Sequence, residues 1–496
     1  MNFRDRLYKP ALVALAVILF CVAAQMQARL NLARKELGLT KMDPLQNAPP
    51  VLAFSTVALG SFRGLIANAL WIRLSALQEE DKYFEMVQLS DWITKLQPHM
   101  VAVWQFQAWN MAYNISVKFK SHEDRWHWVE RGIQLLRDDG LRLNPNETRL
   151  YRDLSWLYQH KIGADLDDAH MTYKFHLAQE MEKIIGGRPN FAELENPTTP
   201  EWKERARKLR DTYKIDPKIA ERVDQEYGPF DWRLPDAYAV YWAEVGRMNA
   251  RPEDQETLRR SIYQSMQQGY FRGMLSSLVT NVTRENFMLW PNLDQTAVVN
   301  ASYEKMLGEE TNNPHGLQQN IETAHKNFLK QAIYLLYEDG REKDARYWFD
   351  YLKKIYPKAF VGKEANISLD DFAVSQIGED INETDMNKVE AALVGMYDRE
   401  LLCLLRDNDD QAANYNNMAR KVWNYYHDKI GTLSNVRLRL KPLPDIWHAV
   451  LNKALDPKGG ISPQAAAILR TKLNLPEPKP QPPAGGPSET NAPPSS

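Results

Sequence analysis

The stretch from Lys326 to Pro357, with its central phrase YLLYEDGREKDARYWFDYLKKIYP, leaves this chain few ways to fold. It predicts a helix, a tight turn at Asp339 and Gly340, and a second helix that stops where Pro357 lacks an N–H and clashes with the turn before it. On the second helix Ala345, Phe349, Leu352 and Tyr356 recur at spacings of four, three and four, which builds one apolar stripe. That stripe needs a partner helix. A small residue at Ala345 lets two axes approach, the Phe349 ring fills the groove between them, and the proline ends the unit so that another pair can follow. A chain of 496 residues is too long for one compact core, but stacked helical pairs reach this size without separate domains.

Other segments repeat the punctuation. The pattern from Tyr83 to Leu96 ends before Pro98, Trp104, Ala108 and Met111 form a stripe within residues 101–117, and a helix over 123–143 ends before Pro145. YRDLSWLYQHKIG and DDAHMTYKFHLAQEMEKIIGG follow as a pair, closed by Gly186 and Gly187. From Arg188 to Pro235 the chain changes character. Six prolines interrupt it, and we read a proline-rich insertion over 188–235 between one helical array at 51–187 and another at 236–473.

The hairpin resembles the tetratricopeptide repeat, with Gly340, Ala345, Phe349 and Pro357 standing where that motif places a turn glycine, a small residue, an aromatic and a terminating proline. The resemblance implies an all-α fold, an irregular tetratricopeptide-like helical-hairpin solenoid. Pro98 and Pro145 lie 47 residues apart, wider than the motif's period of about 34, so the repeats are elongated. More narrowly, FRGLIANALWIR, LQPHMVAVWQFQAWNMAYNIS and LYQHKIGADLDDAH are similar to membrane-anchored bacterial helical-repeat proteins of unassigned activity. This implies a scaffold at the inner membrane that presents a concave helical surface to a protein partner.

At the N-terminus Arg4, Arg6 and Lys9 precede PALVALAVILFCVAA, and the uncharged run to Ala28 approaches the roughly 20 residues a membrane helix needs. An uncleaved signal-anchor helix over 1–29 is the expectation, with the body outside the cytoplasm. A cleaved signal peptide and the apolar first helix of a soluble fold are the alternatives. A linker at 30–50 follows. In the apolar stretch from Val51, Arg63 and Arg73 argue against a second span, because a charge at mid-bilayer depth costs about 2.5–3.5 kcal/mol. In the tail over 474–496 the proline-rich stretch EPKPQPPAGGPSETNAPPSS has no large apolar residue to anchor it, and disorder is expected there.

A net charge of -2 gives no electrostatic recruitment of nucleic acid. Cys21 and Cys403 lie in unlike contexts and do not predict a disulfide. The familiar nucleophile, phosphate-loop, zinc-helix and dinucleotide motifs are missing from the sequence, so no enzymatic activity and no cofactor are expected; an all-helical toroid glycosidase, whose acids carry no local signature, is the enzymatic alternative. The densest polar cluster, QHKIGADLDDAH, offers His160, Asp165 and His170 as metal ligands, against a reading in which Asp165 or Asp167 caps the following helix. For a recognition surface the candidates are Trp104, Trp109, Trp126 and Trp128, because Trp104 and Trp109 cannot share one helical face and Trp126 and Trp128 point apart. Exposed rings would take a peptide or a glycan; burial between neighbouring hairpins is the plainer reading.

Overall fold

A computed structural model describes residues 15, 17–23, 25–30, 32–33, 63–250, 252–275, 287–310, 318–360, 366–377, 383–431, 440–456 and 461–476. The fold is all-α, with helices packed in adjacent pairs along the chain. Met274–Leu275 pairs antiparallel with Leu289–Trp290, a two-residue ladder that an all-helical reading does not foresee. The chain forms two compact units, one of residues 1–225 and 232–268, the other of residues 226–231 and 269–496.

The first unit contains α1 (Arg63–Glu79), α2 (Tyr83–Leu96), α3 (Val101–Trp109), α4 (His122–Gln134), α5 (Thr148–Trp156), α6 (His170–Glu182), α7 (Pro200–Asp211), α8 (Pro217–Tyr227), α9 (Pro235–Asn249) and α10 (Pro252–Arg272), the eighth and tenth running just past its boundary. Ala67, Leu74 and Leu77 of α1 pack with Met86 and Ile93 of α2 and Val103 of α3, as expected when apolar residues return every three or four positions. Three of these helices continue into six-residue π-helical segments: α3 into Asn110–Ile115, α4 into Leu135–Gly140 and α5 into Leu157–Ile162. A π turn holds an extra residue and shifts the phase of every side chain beyond it.

The proline stops at 98 and 145 precede two segments of matching structure. Helix α3 with its π segment and α5 with its π segment are alike in length, and their boundaries are 47 residues apart throughout. Each pair begins with the same bond: the Trp104 indole donates to the Pro98 carbonyl at 2.9 Å, and the Tyr151 hydroxyl donates to the Pro145 carbonyl at 2.9 Å. A third instance opens α9, where the Tyr238 hydroxyl donates to the Trp232 carbonyl, again six residues back. Between the second and third the chain makes an excursion through α7 and α8 whose ends meet, the Trp232 N–H donating to the Gly187 carbonyl at 3.0 Å. Leu194, Leu209, Val223 and Trp232 are buried, and Trp232 meets Phe191 of this stretch and Tyr238 and Tyr241 of α9.

The second unit holds α11 (Thr296–Glu310), α12 (Gln318–Glu338), α13 (Glu342–Ile355), α14 (Leu369–Ser375), α15 (Glu383–Leu405), α16 (Asp409–Gly431), α17 (Leu443–Ala454) and α18 (Pro463–Lys472). The pair α12–α13 is the hairpin read from Lys326, its first helix starting earlier, at Gln318. Gly340 has φ +78, and the Arg341 N–H reaches back to the Leu336 carbonyl at 2.9 Å, a glycine-dependent helix stop. Ala345, Phe349 and Leu352 are buried and Tyr356 is half-buried, while Pro357 opens a short 3-10 turn after the helix has ended.

Much of the N-terminal anchor segment, all of 34–62 and the tail from 477 lie outside the described residues. The residues described between 15 and 33 are helical and exposed, Leu15, Val17, Ile18, Leu19 and Phe20 among them. Among the described residues no helix is long and apolar enough to cross a membrane.

Candidate binding cleft

Two matching segments of the first unit each end an α-helix on a tryptophan, and both tryptophans line one cleft. Trp109 ends α3 and Trp156 ends α5, each at the last α-helical position before a π segment, and they are 46% and 42% exposed. Four residues on, each ring meets an aromatic partner: Trp109 stacks on Tyr113 with centroids 5.6 Å apart, and Trp156 stacks on His160 at 4.5 Å. The two stacks are joined. The Tyr113 hydroxyl lies 3.0 Å from His160 Nδ1, a hydrogen bond between the two segments. Burial, then the neighbouring Lys161, holds the imidazole pKa below its usual value and favours the neutral ring.

Trp109, Tyr113 and Trp156 line a cleft of about 700 Å³. Each π segment contributes to it, through Tyr113, Leu136 and Leu157, and α10 closes the far side with Thr257, Ser261 and Gln264. The charged groups at its rim are already paired, Arg152 with Asp153 at 2.9 Å and Arg260 with Glu256 at 2.5 Å, and Gln105 donates to Asp153. An aromatic wall with amide and hydroxyl groups opposite suits an uncharged extended ligand; such a mixture of apolar lining and few polar groups is usual in binding clefts.

The other candidate tryptophans lie elsewhere. Trp104 is 4% exposed and packs inward, so it offers no surface. Trp128 is half-buried against Phe84 and Phe119. Trp126 is half-buried over Tyr173 and His176 and lines a separate depression of about 510 Å³ with Glu130, Glu180 and Tyr213. There burial, then the charge of Glu180, pushes the Glu130 carboxyl above its usual range.

The polar cluster after α5 is a charge network. His160 points to Tyr113 and is not brought together with Asp165 and His170, which do meet, Nδ1 of His170 lying 3.0 Å from Asp165. The buried Lys174 ammonium sits between them, 3.2 Å from Asp165 and 2.8 Å from His170, in the position a metal would need. Among the described residues no three His, Cys, Asp or Glu side chains converge as a metal set. Asp167 accepts the Ala169 N–H at 2.9 Å, turning the chain into α6 as an Asx turn, and also takes Lys161 at 2.5 Å, Arg125 at 3.3 Å and Tyr173 at 3.2 Å. Burial raises its pKa, but the Lys161 bond and the other donors outweigh burial and hold it at about 2.

Trp156 as a cleft residue, and His160 as the ring stacked against it, escape a reading by local motif. Their signal was the 47-residue offset between Pro98 and Pro145, which maps Trp109 onto Trp156 and Tyr113 onto His160. No family model, curated protein or solved structure matches the chain.

Proposed function

We propose that this protein is a helical-repeat scaffold that engages a partner protein through the cleft between Trp109 and Trp156. The observation that carries this reading is a pair of large aromatic side chains left nearly half exposed, at equivalent positions of adjacent repeats, in a concave surface. Tryptophans of this kind dominate interface energetics when a partner desolvates them. The apolar N-terminal run, whose described residues present Leu, Ile, Val and Phe to the outside, supports anchoring of the scaffold in the cytoplasmic membrane. The basic residues ahead of it favour a body on the extracytoplasmic side, within an envelope complex.

The test is in-cell photo-crosslinking from a reactive residue placed at Thr257, on the wall opposite the tryptophans. A discrete adduct is expected with the native cleft and is lost in the Trp109→Ala/Trp156→Ala double variant. An adduct indifferent to the tryptophans would end this reading. The second reading, a glycan site, draws on the same two rings with Gln264 and Ser261 opposite, and calls for saturable binding of an oligosaccharide by calorimetry.

A further inference from the structure

Resting on the membrane anchoring proposed above, we infer that the outward face of α1 lies on the surface of a lipid bilayer. Helix α1 is apolar on two sides. Ala67, Leu74 and Leu77 on the inner side pack with α2 and α3. On the outer side Leu65, Ala69, Ile72 and Ala76 recur at spacings of four, three and four, which sets them on one stripe. Leu65 is 64% and Ile72 71% exposed, and Ala69 between them is exposed as well. A helix apolar all round is one that its surroundings cover, and a helix at the end of a stack keeps a polar outer face to remain in water. Helix α7 shows that ordinary solvated face, with Lys203, Glu204, Arg207 and Lys208 all exposed.

Four features select lipid as the cover. The stripe is small: a stable protein interface takes roughly 800 Å² from each partner, whereas this face offers two large side chains and two alanines. Its margin needs no water, since the Ser75 hydroxyl donates back to the Trp71 carbonyl at 3.2 Å. Its charge is of one sign, because Arg63 and Arg73 are the ionisable residues of α1 before Glu79, and basic groups beside an apolar face suit anionic headgroups. Arg73 lies 3.6 Å from Glu80 in an exposed pair, a contact that a phosphate readily replaces. Finally, residues 29–62 join α1 to the apolar N-terminal run, and at full extension they reach no further than about 120 Å. A bilayer that holds the run is thereby kept at high effective concentration beside α1.

The test uses the full chain in vesicles of phosphatidylcholine and phosphatidylglycerol. With Cys21→Ser in place and Cys403 buried, an environment-sensitive fluorophore is attached at Ile72→Cys or, for comparison, at Lys203→Cys on the solvated face of α7. A nitroxide carried near the top of the acyl chains, the depth an interfacial helix reaches, is expected to quench the Ile72 label ~2-fold or more beyond the Lys203 label. Adding Leu65→Glu to the Ile72→Cys chain should bring its quenching down to the Lys203 level, with the helical circular dichroism unchanged. Equal quenching at the two sites, or quenching indifferent to Leu65→Glu, would overturn the inference. So would an Ile72 label shielded from water yet untouched by the nitroxide, the result if residues 51–62 or a second copy cover the face. If the chain floats with the vesicles while the Ile72 label is not quenched, the anchoring stands and the docking face is wrong. If the chain does not float, both fall.

Discussion

The α12–α13 hairpin and the paired α3 and α5 segments solve one packing problem in opposite ways. In the hairpin both helices keep α geometry to a left-handed glycine, and Phe349 is driven inward onto Phe372 at 4.9 Å and Phe360 at 5.8 Å. In α3 and α5 the helix widens to a π turn one residue after a tryptophan, and the ring that ends the α phase stays outside. The first arrangement consumes its aromatics as core. The second keeps a buried aromatic at the start of each helix, Trp104 or Tyr151, and leaves another free at the end. The difference separates residues that hold the stack together from residues available to a ligand.

The largest expected effect lies on the core side of that contrast. Phe349→Ala should destabilise the second unit by about 4 kcal/mol through lost burial and the cavity left behind. Hydrogen exchange should show lost protection across α12 and α13 while α3 and α5 stay protected. Full protection of α12–α13 in the variant would mean that the hairpin does not depend on its inner aromatic.

Asp167→Asn probes the network that holds the turn after α5 and should cost about 3 kcal/mol, because it strands the buried Lys161 charge. The sign of its acid dependence follows from the direction of the shift. The carboxyl titrates at about 2 in the folded chain and near 3.8 when free, so its contribution is complete above 3.8 and is lost as pH falls toward 2. Urea titrations should show a steeper loss of stability in that window for the native chain than for Asp167→Asn. Equal slopes would show that the pair is not formed.

Gly340→Ala sharpens the contrast at the turn. The position has φ +78, and an added Cβ would lie 2.9 Å from Asn414 Nδ2, so the substitution combines backbone strain with a contact that must yield. A loss of about 1–2 kcal/mol in chemical denaturation is expected, well below that of Phe349→Ala. A neutral outcome would mean that the hairpin turn relaxes without its left-handed residue.

The same contrast explains what the sequence makes legible. Gly340, Ala345, Phe349 and Leu352 report their structure within fifteen residues, because a turn, a close approach and an apolar stripe are local and follow the 3.6-residue period. The cleft is not local. It needs Trp109 and Trp156 brought together from segments 47 residues apart, and it needs π turns, which shift side-chain phase within a helix. Thus Trp104, a strong candidate by residue type, is core, and Trp156 is a wall of the site although it stands in an ordinary helical phrase. His160 is by residue type a candidate metal ligand, but it stacks on Trp156 and bonds to Tyr113 instead.

The smallest stability effect should come with the largest effect on binding. Trp109 is 46% exposed and stacks on Tyr113, so Trp109→Ala removes about half the burial of a core ring and should lower unfolding free energy by about 1 kcal/mol. Trp156→Ala should cost somewhat more, since it removes the ring stacked closely over His160. That order separates platform from support: a ring placed for a ligand contributes little until the ligand arrives, whereas a ring placed for the core contributes throughout. A loss for Trp109→Ala as large as that for Phe349→Ala, measured by denaturation of the full chain without ligand, would mean that the exposed tryptophans belong to the packing of the repeats.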